Sequence, residues 1–194
     1  HVKDIYSESS TEADDITKWN FKIRAPWNKM SKNSSYSLII GYKEDKYELT
    51  GSDTTQYYPS SNIDPEYIDG DTINYEATYK IPYVGVDFET NMGQWDLQSE
   101  IHYSNWVDME DEDYHILRNK LSKSTANGDS LMIGGIASYK LGSAADIFLN
   151  IDYNKTEVDG NQEQYFSDGS FLKGIDYRAE QEYTQYMAGV RWKF

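Results

Sequence analysis

The chain has 194 residues, enough for one sizeable domain, and no cysteine, which excludes disulfides and cysteine-ligated metals. A formal net charge of −15 argues against nucleic acid, whose phosphates call for Lys and Arg, and suits cationic partners such as basic peptides. No apolar run is long enough for a transmembrane helix, and His1-Val2-Lys3-Asp4 is not a signal peptide.

Transmembrane β-barrels give only a weak hydropathy signal. Here 18 tyrosines and five tryptophans fit a barrel with aromatic girdles. Taken in chain order, the pattern has period two and no convincing helical stripe. Trp19, Phe21 and Ile23 alternate with Lys18, Asn20, Lys22 and Arg24. A second strand spans 36–49. In 73–83, Ile73, Tyr75, Ala77, Tyr79, Ile81 and Tyr83 oppose Asn74, Glu76, Thr78 and Lys80. In 95–107, Trp95, Leu97, Ile101, Tyr103 and Val107 share one face, and Asp96, Gln98, Glu100, His102 and Ser104 the other. Further strands fall at 131–141, 147–153 and 183–194.

These seven strands are each long enough to cross a bilayer, which takes about 9–11 tilted residues. Short connections at 26–34, 89–94 and 141–144 alternate with long polar ones near 51–71, 108–129 and 154–175. Short periplasmic turns alternating with long external loops are the outer-membrane pattern. At the C-terminal end Tyr186, Ala188, Val190, Trp192 and Phe194 share a face opposite Gln185, Arg191 and Lys193. That ending resembles the signal by which bacterial outer-membrane barrels are recognised for assembly. Lys18, Lys22, Arg24, Arg191 and Lys193 suit a wet lumen and speak against a soluble barrel with an apolar interior. The expected fold is therefore an all-β, antiparallel transmembrane β-barrel, one domain over 1–194. Seven strands cannot close up-and-down, so the reading expects an unseen strand or a missing N-terminal part.

Residues 106–117 read WVDMEDEDYHIL, with five carboxylates just before His115, one of only three histidines. The bland reading is a solvated acidic loop with a bystander histidine. The functional one starts from Asp113 and His115, two apart and thus on one face of a strand. A carboxylate that orients an imidazole and stabilises its protonated form makes a general base. Calcium lacks the EF-hand spacing and glycine turn, and zinc lacks further nitrogen or sulfur ligands, so no metal is expected. Strand parity poses a problem: continued from Val107, odd positions face lipid. A site inside the barrel requires a β-bulge or irregular residues between Val107 and Asp113.

From about Thr17 to Phe194 the chain resembles the omptins, outer-membrane endopeptidases of Gram-negative bacteria. GYKEDKY (41–47), YKIPYVG (79–85), YSNWV (103–107) followed by Asp113-x-His115, and the final strand carry the resemblance. It implies a ten-stranded barrel of omptin type, so that about seven strands here leave three outside the chain. It also implies an extracellular active site in the bacterial outer membrane. There a histidine–aspartate dyad and a facing aspartate pair activate water against a peptide carbonyl. His115 would be the base and Asp113 its partner, while Asp111 matches an acidic position of the pocket that selects Lys or Arg. The substrates would be cationic peptides or proteins. No cofactor is implied apart from lipopolysaccharide as activating lipid, with Tyr42, Glu44 and Lys46 matching part of its phosphate motif. Thr78 stands where the family has an arginine, and no basic residue near 124–127 matches another. The facing pair has no clear counterpart, Asp4, Asp14 and Asp15 being candidates by proximity alone, so this chain by itself is expected to be inactive. The alternative is a catalytically silent barrel of the same fold, acting as adhesin or receptor.

Overall fold

Alternating side chains suit a sheet with two unlike faces, and the chain uses that alternation almost throughout. In the computed structural model, which describes residues 6–29, 31–59 and 62–192, seven strands follow one another. They are β1 (Tyr6–Lys29), β2 (Ser34–Tyr57), β3 (Glu66–Met92), β4 (Trp95–His115), β5 (Lys120–Lys140), β6 (Ala145–Tyr165) and β7 (Phe171–Trp192). Each pairs antiparallel with its sequence neighbours, in the order β1 to β7. The two edges, β1 and β7, are not paired with each other. They meet through side chains, with Lys18 Nζ 4.6 Å from the centre of the Tyr183 ring. The odd strand number is thus accommodated by a curled, open sheet. Lys193 and Phe194, the end of the expected final strand, lie outside the described residues, as does Asp4.

The long polar loops expected at 51–71, 108–129 and 154–175 are a point of correction. Most of these residues are paired strand, and each hairpin continues well past a membrane's thickness. Only short connections remain at the tips, such as the 3-10 turn Ile116–Arg118 closed by Asn119 in the left-handed region. The reason is physical. A hairpin wetted on both faces needs no apolar alternation, yet its backbone donors and acceptors still pair. At the opposite end the turns are tight, and Gly93 (φ 69°) and Gly142 (φ 83°) supply conformations that side chains resist.

The two faces are separated sharply. On β2, Ile39 is 1% exposed and Ile40 67%. Ile40 belongs to an outer apolar band that includes Trp19, Phe21, Leu38, Val84, Val86, Ile101, Tyr103, Ile133, Leu149 and Val190. Trp27, Tyr36, Trp95 and Trp192 mark its lower rim. An outward apolar band with aromatic rims is the mark of a membrane-spanning barrel. The inner face is polar below, with Lys22 on Glu100 (2.6 Å) and Arg24 on Asp87 (2.9 Å). Higher up, the apolar set of β3 turns inward instead: Ala77, Tyr79, Ile81 and Tyr83 form the core with Met109 and Val158.

Inside, rings lie over glycines on neighbouring strands. Tyr83 covers Gly41, His102 lies against Gly85, and Phe148 against Gly189. Such pairs let a sheet curl tightly while the ring fills the space a side chain would have taken. Tyr83 also stacks on His102 (4.7 Å) and donates to Asn20 Oδ1 (2.7 Å).

One irregularity decides the upper barrel. Between Ser104 and Val107, β4 carries one more residue than β5 opposite it, since Ser104 pairs with Ser130 and Val107 with Gly128. This bulge at Asn105 and Trp106 reverses the alternation. Ile101 and Tyr103 face out below it, whereas Val107, Met109 and Asp111 are buried above it. The expected reset therefore exists, but it precedes Val107, which points inward rather than with Ile101 and Tyr103.

Two outcomes test this architecture. An alanine Cβ at position 41 would stand 2.2 Å from Tyr83 Cζ. Gly41→Ala must displace the ring and is expected to destabilise the barrel by about 1–3 kcal/mol, read by urea unfolding in lipid vesicles. Met109, 0% exposed, tests the bulge, because the absence of cysteine makes Met109→Cys a clean probe. That cysteine should resist a maleimide in the folded barrel and react once Asn105 is deleted.

Candidate functional site

Above the bulge, inward positions recur at every second residue of β4, about 6.6 Å apart. Met109, Asp111, Asp113 and His115 occupy them in succession. Asp108, Glu110 and Glu112 take the opposite, exposed face. The acidic stretch is thus two different surfaces, and the crowding of carboxylates is partly an effect of writing them on one line.

At the top, His115 Nε2 lies 2.9 Å from Asp113 Oδ2, and both side chains are 26% exposed. Contact of an imidazole with a carboxylate through Nε2 leaves Nδ1 as the nitrogen able to take a proton. Asp113 Oδ1 is buried without a hydrogen-bond partner. A cavity of about 240 Å³ opens beside the imidazole, bounded by Ser7, Thr54, Thr72, Leu117 and Arg118. The pair therefore combines a fixed geometry with access to water.

Asp111, one step deeper, is 5% exposed. Its Oδ2 accepts from Tyr177 OH (2.6 Å), on β7, and from Tyr75 OH (3.3 Å), on β3. Its Oδ1 is buried and has no partner. Burial, then the neighbouring carboxylate, pushes both phenols well above the ordinary tyrosine range, so they stay protonated and donating. Among the described residues no Lys or Arg pairs with Asp111. A buried carboxylate held only by neutral donors is a strong attractor for a cation. Tyr75 and Tyr177 are part of this site, and the sequence reading had no means to join them to it. Tyr75 comes from the neighbouring β3, opposite Asp113, whereas Tyr177 on β7 meets Asp111 only because the sheet curls.

The remaining candidates are distributed elsewhere. Asp14 accepts from Thr50 (2.7 Å) and Asp15 from Thr17 (3.0 Å). Thr17 shares its face with the exposed Trp19 and Phe21. These two carboxylates therefore do not complete a pair opposite the dyad. On the outer side of β2, Tyr42 donates to Glu44 (2.9 Å) and Lys46 pairs with Glu48. Leu38, Ile40 and Tyr42 are all exposed, so this motif continues the apolar band upward as its parity requires. Lys80, opposite Glu44 in register and 3.7 Å from Glu110, adds a second cation to that patch. It stands two residues from Thr78, the position at which the resemblance implies an arginine.

Below the site, a lumen cavity of about 360 Å³ lies among Lys22, Lys43, Glu100, His102, Asp152 and Tyr183. Lys43 reaches Asp45 (2.7 Å) and Tyr183 OH (3.1 Å), tying β2 to β7 across the interior.

Comparison with known proteins places this geometry in context. The plasminogen activator of Yersinia pestis is 22% identical over 97% of the chain, and the outer membrane protease IcsP of Shigella flexneri 24% over 81%. The chain spans only 62% and 53% of those two proteins. The crystal structure of the outer membrane protease OmpT from Escherichia coli superposes with a TM-score of 0.82 at 20% identity. That match covers 97% of this chain and 68% of the other, and it establishes the barrel fold. The Omptin family profile matches residues 2–194, and the chain belongs to that family.

Proposed function

We propose that this protein is an outer-membrane endopeptidase that cleaves peptides at basic residues, its mouth facing outside the cell. The observation that carries this reading is the contact of His115 with Asp113 on the inward wall, directly above a buried carboxylate, in a family whose relatives are named as outer membrane proteases.

The chemistry follows from the groups present. His115 takes a proton from a water in the adjoining cavity as that water attacks the peptide carbonyl. Asp113 orients the ring and stabilises the imidazolium, which then returns the proton to the departing amine. Asp111, deeper and dry, binds the ammonium or guanidinium of the substrate residue, where a charge-assisted hydrogen bond is strong. The Tyr42, Glu44, Lys46 patch, with Lys80, suits the phosphates and sugars of lipopolysaccharide at the edge of the apolar band. A catalytically silent barrel acting as adhesin or receptor is the second reading. It is favoured by one observation: Asp14 and Asp15 engage threonines rather than facing His115.

The test is cleavage of a fluorogenic peptide with paired basic residues by the intact protein reconstituted with lipopolysaccharide. Cleavage is expected, with kcat/KM falling about 10²–10⁴-fold in a folded His115→Ala variant. Full activity in that variant rules out the dyad, and no cleavage by the parent protein favours the silent barrel.

A further inference from the structure

With Asp111 read as the substrate-pocket carboxylate, we propose that Tyr75 and Tyr177 bias this pocket toward lysine over arginine by occupying one carboxylate oxygen. A carboxylate offers two lone pairs on each oxygen. Both of those on Oδ2 are taken, by Tyr177 at 2.6 Å and Tyr75 at 3.3 Å. The open acceptor is Oδ1, buried and without a partner.

A guanidinium binds a carboxylate best as a planar fork, one N–H to each oxygen. Here the second tine meets an oxygen already filled by two phenols that stay protonated. It would enter a buried site with a donor unsatisfied, which is costly. An ammonium is a compact point charge whose three donors rotate freely, so it can bond Oδ1 without demanding a second, coplanar acceptor at Oδ2. Tyr75 and Tyr177 pack against the cluster that holds Tyr79 and Met109, and since rings attract either cation the discrimination rests on the carboxylate. The same two hydroxyls fix the carboxylate's rotation, so Tyr75 and Tyr177 act as positioning residues through Asp111.

The experiment compares two fluorogenic peptides that differ only in Lys or Arg before the scissile bond. It uses the intact protein with lipopolysaccharide. The parent protein should favour the lysine peptide in kcat/KM by roughly ten-fold, the scale of one hydrogen bond to a charged group. Tyr177→Phe releases a lone pair of Oδ2 and should shift the Lys/Arg ratio toward arginine by a similar factor, mainly through a lower KM for the arginine peptide. Tyr75→Phe, which removes the longer bond, should move the ratio the same way by less. A purely structural role would change both peptides together, and an unmoved ratio in both folded variants overturns the proposal.

Calorimetric binding of butylammonium and butylguanidinium to the same proteins separates the pocket from the chemistry. Tighter ammonium binding that reverses in Tyr177→Phe supports the proposal even where no peptide is cleaved, an outcome that would sink only the protease reading. Equal binding of the two probes by the parent protein overturns the proposal whatever the protease activity.

Discussion

The upper half of this barrel depends on a single extra residue in β4. A strand's side chains alternate without exception as long as pairing is regular, so one inserted residue exchanges its two faces for everything that follows. Below Asn105 and Trp106, β4 turns Ile101 and Tyr103 outward; above them it turns Met109, Asp111, Asp113 and His115 inward. Without the bulge, the apolar Val107 and Met109 would sit above the membrane facing water, and the charged residues of the same stretch would exchange sides. The bulge therefore serves two demands at once: it keeps apolar side chains on the lipid face where the membrane is, and in the core where the strand leaves it.

The lower and upper interiors solve different problems. In the lower barrel, charges meet across the lumen, as Lys22 meets Glu100 and Arg24 meets Asp87. The cations stay about a third exposed while Asp87 is sealed at 1%, and the pairing of these charges holds the curl there without an apolar core. Higher up, the inward face becomes aromatic and aliphatic through Tyr79, Ile81, Tyr83, Met109 and Val158. This apolar collar separates the wet lumen below from the acidic mouth above. Gly41 and Gly85 let the ring of Tyr83 and the imidazole of His102 lie close to the backbone there.

What the sequence made legible follows from the same physics. The alternation of Trp19, Phe21 and Ile23 with Lys18, Lys22 and Arg24 needs no tertiary information, because lipid and lumen act on each strand separately. The Asp113 and His115 pairing was legible for the same reason, being a two-residue spacing on one strand. Strand ends were not legible, since a hairpin wetted on both sides has no hydropathy pattern to read, and 51–71, 108–129 and 154–175 looked like loops. The bulge was legible only as a requirement. Residues 105 and 106 contain no glycine or other local signal, and their irregularity appears only when β4 is set against β5. Tyr177 was the least accessible of all, because its partner Asp111 lies 66 positions away.

The division of labour proposed along β4 comes down to water. Asp111 and Asp113 are chemically identical and stand two residues apart on one wall. Asp113 and its histidine are a quarter exposed, so water reaches the imidazole and a proton can leave and return. Asp111 is sealed by two phenols and by the collar beneath it. A general base buried that deeply would have no water to activate, and a recognition carboxylate as exposed as Asp113 would have its charge screened by solvent. Depth, set by the register that the bulge imposes, is what fits Asp113 to the proposed proton transfer and Asp111 to the proposed choice of substrate.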